Sequence, residues 1–200
     1  MSDARAEFLE SLARYGKRIA GKGVPAYLQP GLAEQWDIYC RFGELMKDPT
    51  CADRDTYPGH LTGSALVVSP SRDRVLLTHH RKLGRWLQLG GHADGSFDLP
   101  AAALREAEEE SGLADLAFYP LEVGFPQAIL DLDVHWIPEG KEPGHYHYDV
   151  RYLIVAEPSR EPQVSEESLD VKWLALEEAY RVTFGSSMHR LLDKIPRNAL

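Results

Sequence analysis

Three glutamates in the middle of the chain have a spacing that suits metal binding. On a helix, Glu106, Glu109 and Glu110 span an arc of roughly 100°, so their carboxylates share one face. Glu106 and Glu110 repel each other one turn apart, and the segment ends in Ser111-Gly112 without a cation to offset them. A hard divalent cation would relieve this repulsion. A solvated acidic helix face is the alternative, and the spacing alone favours neither.

A longer pattern around these glutamates resembles the Nudix box, G-x5-E-x7-R-E-U-x-E-E-x-G-U, in which U is apolar. All written positions but one are matched by Gly91, Arg105, Glu106, Ala107, Glu109, Glu110, Gly112 and Leu113. The resemblance covers about residues 60–185. It implies metal-dependent hydrolysis of the diphosphate linkage in a nucleoside diphosphate joined to another moiety. It also implies that Mg²⁺ or Mn²⁺ is bound by the catalytic residues Glu106, Glu109 and Glu110, with a backbone carbonyl near Gly91 as a further ligand.

The one departure from the box is Phe97, which stands where the family has its first glutamate. In the family that glutamate mostly pairs with the box arginine, here Arg105. We therefore expect Asp94 or Asp98 to pair with Arg105 instead. Asp98 is also placed to cap the helix predicted over residues 100–111, and Gly112 is placed to end it.

Histidines form a second constellation. In His145-Tyr-His147, strand alternation puts both imidazoles on one side, and imidazole clusters favour Zn, Fe, Ni or Cu over Mg. Each histidine alone is typical of a surface or strand-edge position. Taken with His60 and His92, the set is similar in position to the metal site of isopentenyl-diphosphate isomerase, a Nudix-fold relative. The resemblance predicts a second, transition-metal site at these four histidines.

Three functions follow from these patterns. A diphosphate hydrolase is favoured because Arg105 and the three glutamates are intact. A prenyl-diphosphate isomerase-like enzyme is disfavoured because Gly90 occupies the position of the catalytic cysteine. A noncatalytic Nudix-fold binding module is the third. Arg81 and Lys82, after the second predicted strand, are candidate contacts for substrate phosphates, although two exposed loop cations fit equally well.

The elements that must position these residues are read from hydrophobic periodicity and turn residues. Strands are predicted at 61–68, 75–78, 86–89, 117–124, 127–136, 147–155 and 171–174, and helices at 100–111, 176–181 and 186–195. This order predicts an α/β (α+β) Nudix fold, with a mixed β-sheet sandwiched between helices.

The first 55 residues have helical periodicity. Apolar stripes run through Phe8, Leu9, Leu12 and Tyr15, and through Leu32, Trp36, Tyr39, Cys40, Phe42 and Leu45. They predict a helical N-terminal extension over 1–55 and a Nudix hydrolase domain over 56–200. A homodimer interface is one expected role of the extension.

Composition limits the partners. The chain has 200 residues, 44% of them hydrophobic, and a net charge of −9, so there is no basic excess to bind a nucleic-acid backbone. We find neither a long apolar run nor the pattern of a signal peptide, so we expect no membrane location. The two cysteines lack a C-x-x-C spacing, and we expect a cytoplasmic protein. We expect a small nucleoside diphosphate derivative as the partner.

Overall fold

The computed structural model describes residues 3–21, 23–140, 142–158 and 160–196. Its helices are α1 (Asp3–Ala20), α2 (Leu32–Leu45), α3 (Leu99–Ser111), α4 (Leu176–Val182) and α5 (Ser186–Asp193). Its strands are β1 (Gly59–Val68), β2 (Arg74–His80), β3 (Arg85–Leu87), β4 (Leu89–His92), β5 (Ala117–Phe118), β6 (Ile129–Ile137), β7 (His145–Val155) and β8 (Ser168–Ala175). A short 3₁₀ turn at Ala26–Leu28 separates the first two helices.

The eight strands of the described residues form one mixed sheet around β1. β1 and β7 pair in parallel from Gly59↔Tyr146 to Val68↔Val155, and the other strand pairs are antiparallel. The main path runs β3-β2-β1-β7-β5, with β4 also paired to β1, β6 to β7 and β8 to β2. The predicted mixed sheet covered by helices is confirmed.

Alternation along β1 divides its side chains between two faces of the sheet. Leu61 and Ala65 pack in the cores that include α1, α2 and α3. Leu66 points the other way, into the core that includes α4 and α5. His60 has the same parity as Leu66, so it lies on the face opposite to α3.

Two expected strands differ in the structure. The single strand expected at 86–89 is divided into β3 and β4, which pair with β2 and β1 respectively. The strand expected at 117–124 is reduced to β5, because the chain turns at Gly124, where φ is +78° and Glu122 bridges to Phe125.

The N-terminal helices share a core with the sheet. α1 buries Phe8, Leu12 and Tyr15 as predicted, while Leu9 is exposed. The stripe predicted on α2 is confirmed in part. Phe42 is buried and Leu32, Tyr39 and Leu45 pack against the same core, whereas Trp36 and Cys40 are exposed. Gln35 and Ile38, which the stripe did not include, are buried.

A pair of hydrogen bonds explains why Gln35 is buried on α2. The Gln35 amide donates to the Leu132 carbonyl at 2.9 Å and accepts from the Leu132 N–H at 3.3 Å, so it caps the unpaired edge of β6. The periodicity of apolar residues cannot predict that a glutamine is buried. A domain boundary at 55/56 stays a prediction.

Cys40 and Cys51 are both free thiols. Within the part of the chain that the structure describes, no helix combines the length and apolarity needed to cross a membrane.

Candidate functional site

Two glycines bring α3 close to the sheet. A Cβ at Gly63 on β1 would lie 2.9 Å from the Leu99 carbonyl oxygen, and a Cβ at Gly91 on β4 would collide with the Glu106 carboxyl group. Their missing side chains therefore leave the space that the helix and its carboxylate occupy. Next to Gly91, the Gly90 N–H donates to the Glu110 carboxylate at 3.1 Å.

The ends of α3 fix which face it turns to β4. Asp98 accepts a hydrogen bond from the Ala101 N–H at 3.1 Å, and Pro100 occupies the first turn. At the other end Gly112 adopts a left-handed conformation, with φ of 68°, and donates to the Glu108 carbonyl at 2.8 Å. Between these caps, Glu106 and Glu110 lie against β4, and Glu109 is exposed.

The environments of these glutamates are unequal. Burial raises the pKa of Glu110 to about 7, opposing the Gly90 hydrogen bond, and the charges of Glu106 and Glu167 raise it further. Burial is also the largest cause of the raised pKa of Glu106, followed by the opposing contacts with Arg105. Glu109 is exposed. The cluster thus holds more negative charge than its protein partners compensate, which suits a hard divalent cation.

Arg105 connects α3 to the loop before it. Its guanidinium lies 2.9 Å from Glu106, 3.5 Å from Asp94 and 4.0 Å from Glu109. It also donates to the His92 carbonyl oxygen at 3.1 Å. Arg105 therefore holds the end of β4 and the first glutamate of the site together.

Phe97 belongs to the hydrophobic core. It is 9% exposed and packs with residues of α1 and α3. The Arg5 guanidinium lies 5.6 Å from its ring centroid. With Phe97 buried, Asp94 is the loop carboxylate that approaches Arg105, while Asp98 caps the helix.

Arg81 and Lys82 follow β2 on an exposed turn. The Arg81 guanidinium donates to the carbonyl oxygens of Glu166 at 2.9 Å and Ser168 at 2.7 Å, which ties the turn to the start of β8. The adjacent Glu167 acts on the pKa of Glu110, so it lies on the carboxylate side of the molecule. Glu167 was not among the predicted site residues, and the acidic pair Glu166-Glu167 before β8 is the pattern that could have indicated it.

The four predicted histidines come together on the opposite face of the sheet. His60 on β1 lies directly beside His147 on β7, and Thr62 on β1 lies beside His92 on β4. Ring centroids are 4.9 Å apart for His60 and His145, 5.0 Å for His60 and His147, and 5.3 Å for His60 and His92. We call these four residues the histidine cluster.

A fifth imidazole, His135, borders the histidine cluster. It pairs with His147 across β6 and β7, with ring centroids 5.5 Å apart. No pattern in the sequence singles out His135, because its position depends on the register between β6 and β7. Since Gly91 faces α3 and His92 faces the cluster, the carboxylates and the imidazoles lie on opposite sides of β4.

Comparisons with solved structures agree with this fold. The C. elegans Ap4A hydrolase, in a binary complex, is 19% identical, with 67% of this chain and 93% of that chain covered and a TM-score of 0.52. A MutT NUDIX hydrolase from Burkholderia pseudomallei is 23% identical, with 68% and 97% covered and a TM-score of 0.50. The E. coli dihydroneopterin triphosphate pyrophosphohydrolase is 17% identical, with 67% and 92% covered and a TM-score of 0.50. At these identities the likeness establishes the fold.

The sequence comparisons give the family. No curated protein matches the chain. The family model of the NUDIX domain matches residues 59–195, which contain the whole sheet, the glutamates and the histidine cluster. The chain therefore belongs to the Nudix family, as its box and its fold both indicate.

Proposed function

We propose that the protein hydrolyses a diphosphate linkage in a nucleoside diphosphate derivative, using Mg²⁺ or Mn²⁺ held by the glutamates of α3. The observation that carries this proposal is the seating of two carboxylates on adjacent glycines of β4. Glu106 fills the space that a Gly91 side chain would take, and Glu110 accepts from the Gly90 N–H. The proposed ligands are Glu106, Glu109 and Glu110, with the Gly91 carbonyl as a fourth.

The donor set fits a hard cation. It offers carboxylate and carbonyl oxygens, which Mg²⁺ and Mn²⁺ prefer over nitrogen ligands. Burial destabilises the ionised forms of Glu106 and Glu110, so a divalent charge between them would be favourable. The bound metal would polarise a phosphoryl oxygen and lower the pKa of an attacking water.

The residues around the proposed metal site have different roles. The Gly90 N–H fixes the orientation of the Glu110 carboxylate, and Arg105 does the same for Glu106. Glu109 is exposed, so its carboxylate is open to substrate. Arg81 positions the turn between β2 and β3, and in our proposal Lys82, which is exposed on the same turn, contacts a substrate phosphate.

The structure of Gly90 favours hydrolysis over isomerase-like chemistry. A side chain at this position would collide with Ser64 on β1, so a cysteine could not be accommodated there without moving the strand. The thiol expected of an isomerase-like enzyme is therefore excluded from this position by packing.

The substrate is best found by a hydrolysis screen. Two neighbours are named for Ap4A and for dihydroneopterin triphosphate, but identities of 19% and 17% support the fold and no particular substrate. Purified protein should be tested against dinucleoside polyphosphates, nucleotide sugars, ADP-ribose and nucleoside triphosphates, with Mg²⁺ or Mn²⁺ and with EDTA. We expect metal-dependent release of phosphate-containing products from one class.

The residue assignment is tested by neutralising each glutamate. Glu109→Gln and Glu110→Gln should each lower kcat by about 100-fold or more, since each removes a metal ligand. Glu108→Gln is the matched control, because it makes the same change at an exposed position on another face of α3. Wild-type rates in both test variants would refute the assignment. Binding without hydrolysis of any compound in the screen would instead indicate a noncatalytic Nudix-fold module.

A further inference from the structure

We propose that His60, His145 and His147 bind a transition-metal ion of the Zn²⁺ class, with His92 as the fourth ligand. This site lies on the face of β4 opposite to the glutamates and does not depend on the hydrolytic function. The geometry, burial and hydrogen bonding of the histidine cluster each support it.

His60 is the most informative member of the cluster. It is 1% exposed, and neither of its ring nitrogens has a hydrogen-bond partner of ordinary geometry, although the Thr56 backbone lies near enough to raise its pKa. Buried polar groups are nearly always paired, so two unpaired nitrogens on one buried ring need an explanation. A metal ion would supply a partner for the unprotonated nitrogen. Burial is the first cause that lowers the pKa of His60, to about 4, followed by the charges of His92 and His145.

The nitrogens of His145 and His147 are already placed for a shared ion. The Nδ1 of His145 lies 2.8 Å from the Pro143 carbonyl oxygen, which can only accept, so Nδ1 carries the proton and Nε2 has a free lone pair. That Nε2 lies 3.2 Å from the Nε2 of His147. Two nitrogens bound tetrahedrally at the usual zinc distance are about 3.3 Å apart. The observed separation matches the edge of such a site.

The third nitrogen completes the geometry. One ligand atom from each of His60, His145 and His147 can be chosen so that all lie within 4.8 Å of one another. The His92 ring lies 5.3 Å from His60 and 5.2 Å from His147, centroid to centroid. Small side-chain rotations would therefore bring four imidazoles around one ion, the nitrogen-rich coordination that zinc accepts and magnesium does not.

Two carboxylates lie near the histidine cluster, and each also pairs with an arginine. Asp133 is buried and lies 3.0 Å from the Nδ1 of His135, which borders His147. Glu142 acts on the histidines from the loop before β7, and Arg54 pairs with it at 2.7 Å. Because its ligands come from β1, β4 and β7, the ion would tie the start of the box loop to the sheet.

Zn²⁺ titration tests the proposal directly. Metal-stripped wild-type protein, in excess Mg²⁺, should bind one Zn²⁺ per chain by calorimetry, and its Tm should rise with Zn²⁺ concentration. Bound Co²⁺ should give the intense visible absorption of a tetrahedral nitrogen site. His147→Asn removes a ligand. It should therefore weaken Zn²⁺ binding by more than the roughly 10- to 100-fold that is typical of outer-shell changes. His60→Asn should do the same.

Two controls locate the ion. His79→Asn removes an imidazole that stacks on Trp86 at 4.9 Å, away from the cluster, and should keep wild-type Zn²⁺ affinity. Glu109→Gln should also keep it, even where hydrolysis is lost. The proposal is overturned if wild-type protein binds Zn²⁺ no more tightly than His147→Asn, or if Glu109→Gln abolishes binding. The Co²⁺ spectrum is measured on the wild-type protein, so it does not depend on the folding of any variant. The weak absorption of octahedral Co²⁺ in that spectrum would also overturn the proposal.

Discussion

Asp131 lies at the centre of a buried ion network between β6 and α5, and Asp131→Asn should strongly destabilise the protein. Asp131 is 0% exposed and contacts three cations: Lys194 at 2.5 Å, Arg151 at 3.1 Å and Arg190 at 3.2 Å. Its pKa would be raised by burial, but the charges of Lys194, Arg190 and Arg151 hold it below the usual range. Asparagine keeps the shape of the side chain and removes the charge.

The consequences differ among the three cations. Lys194, which is 0% exposed, would keep only neutral acceptors, the Tyr15 hydroxyl at 3.2 Å and the Gln35 oxygen at 3.0 Å. The two arginines would keep other carboxylates: Asp133 and Asp149 for Arg151, and Asp133 and Glu34 for Arg190. The substitution therefore leaves one buried charge, that of Lys194, without an anionic partner.

Removing one partner of a buried ion pair costs about 3–5 kcal/mol, which is the loss we expect for Asp131→Asn. Lys194→Met should cost less, about 1–2 kcal/mol, because Asp131 would keep two guanidinium partners. The double variant should be more stable than Asp131→Asn by at least about 1 kcal/mol, since the stranded ammonium is gone.

The same network sets a pH dependence with a definite sign. The folded-state pKa of Asp131 is below its reference value of 3.8, so the stabilisation is complete above that pH and is lost as pH falls. The difference between wild type and Asp131→Asn should therefore be constant near neutral pH and shrink below it only in strong acid. Urea unfolding at several pH values measures both quantities. Equal urea midpoints for wild type and Asp131→Asn, or a double variant no more stable than Asp131→Asn, would refute this reasoning.

Two further variants test how α3 is positioned. Asp98→Ala should lower the free energy of unfolding by about 1 kcal/mol through loss of the hydrogen bond to the Ala101 N–H, and an unchanged urea midpoint would count against the cap. Gly91→Ala should displace the Glu106 carboxyl group and lower kcat with little loss of stability, because the clash is with the end of a flexible side chain. Unchanged Mg²⁺-dependent activity in Gly91→Ala would show that Glu106 need not lie against β4.

Local periodicity accounts for what could be predicted. The limits of α3 follow from Asp98, Pro100 and Gly112, each of which acts on its own helix end. The shared face of the three glutamates then follows from helix geometry alone. Most strands were likewise predicted from runs of alternating or continuous apolar residues.

Long-range register accounts for what could not be predicted. Gln35 is buried because β6 presents an unpaired edge to it, although no apolar pattern on α2 includes a glutamine. His135 reaches the histidine cluster only because β6 and β7 pair at His135↔His147. No local sequence pattern predicts either contact.

Patterns of residues close together in the chain were enough to predict the family, the mixed sheet and the helix that carries the glutamates. No such pattern predicts that Lys194 and Asp131 meet, 63 positions apart, or that the two unpaired nitrogens of His60 lie among other imidazoles. Burial and charge pairing depend on which distant strands and helices pack together. Strand pairing places imidazoles on one side of β4, and the packing of α3 places carboxylates on the other.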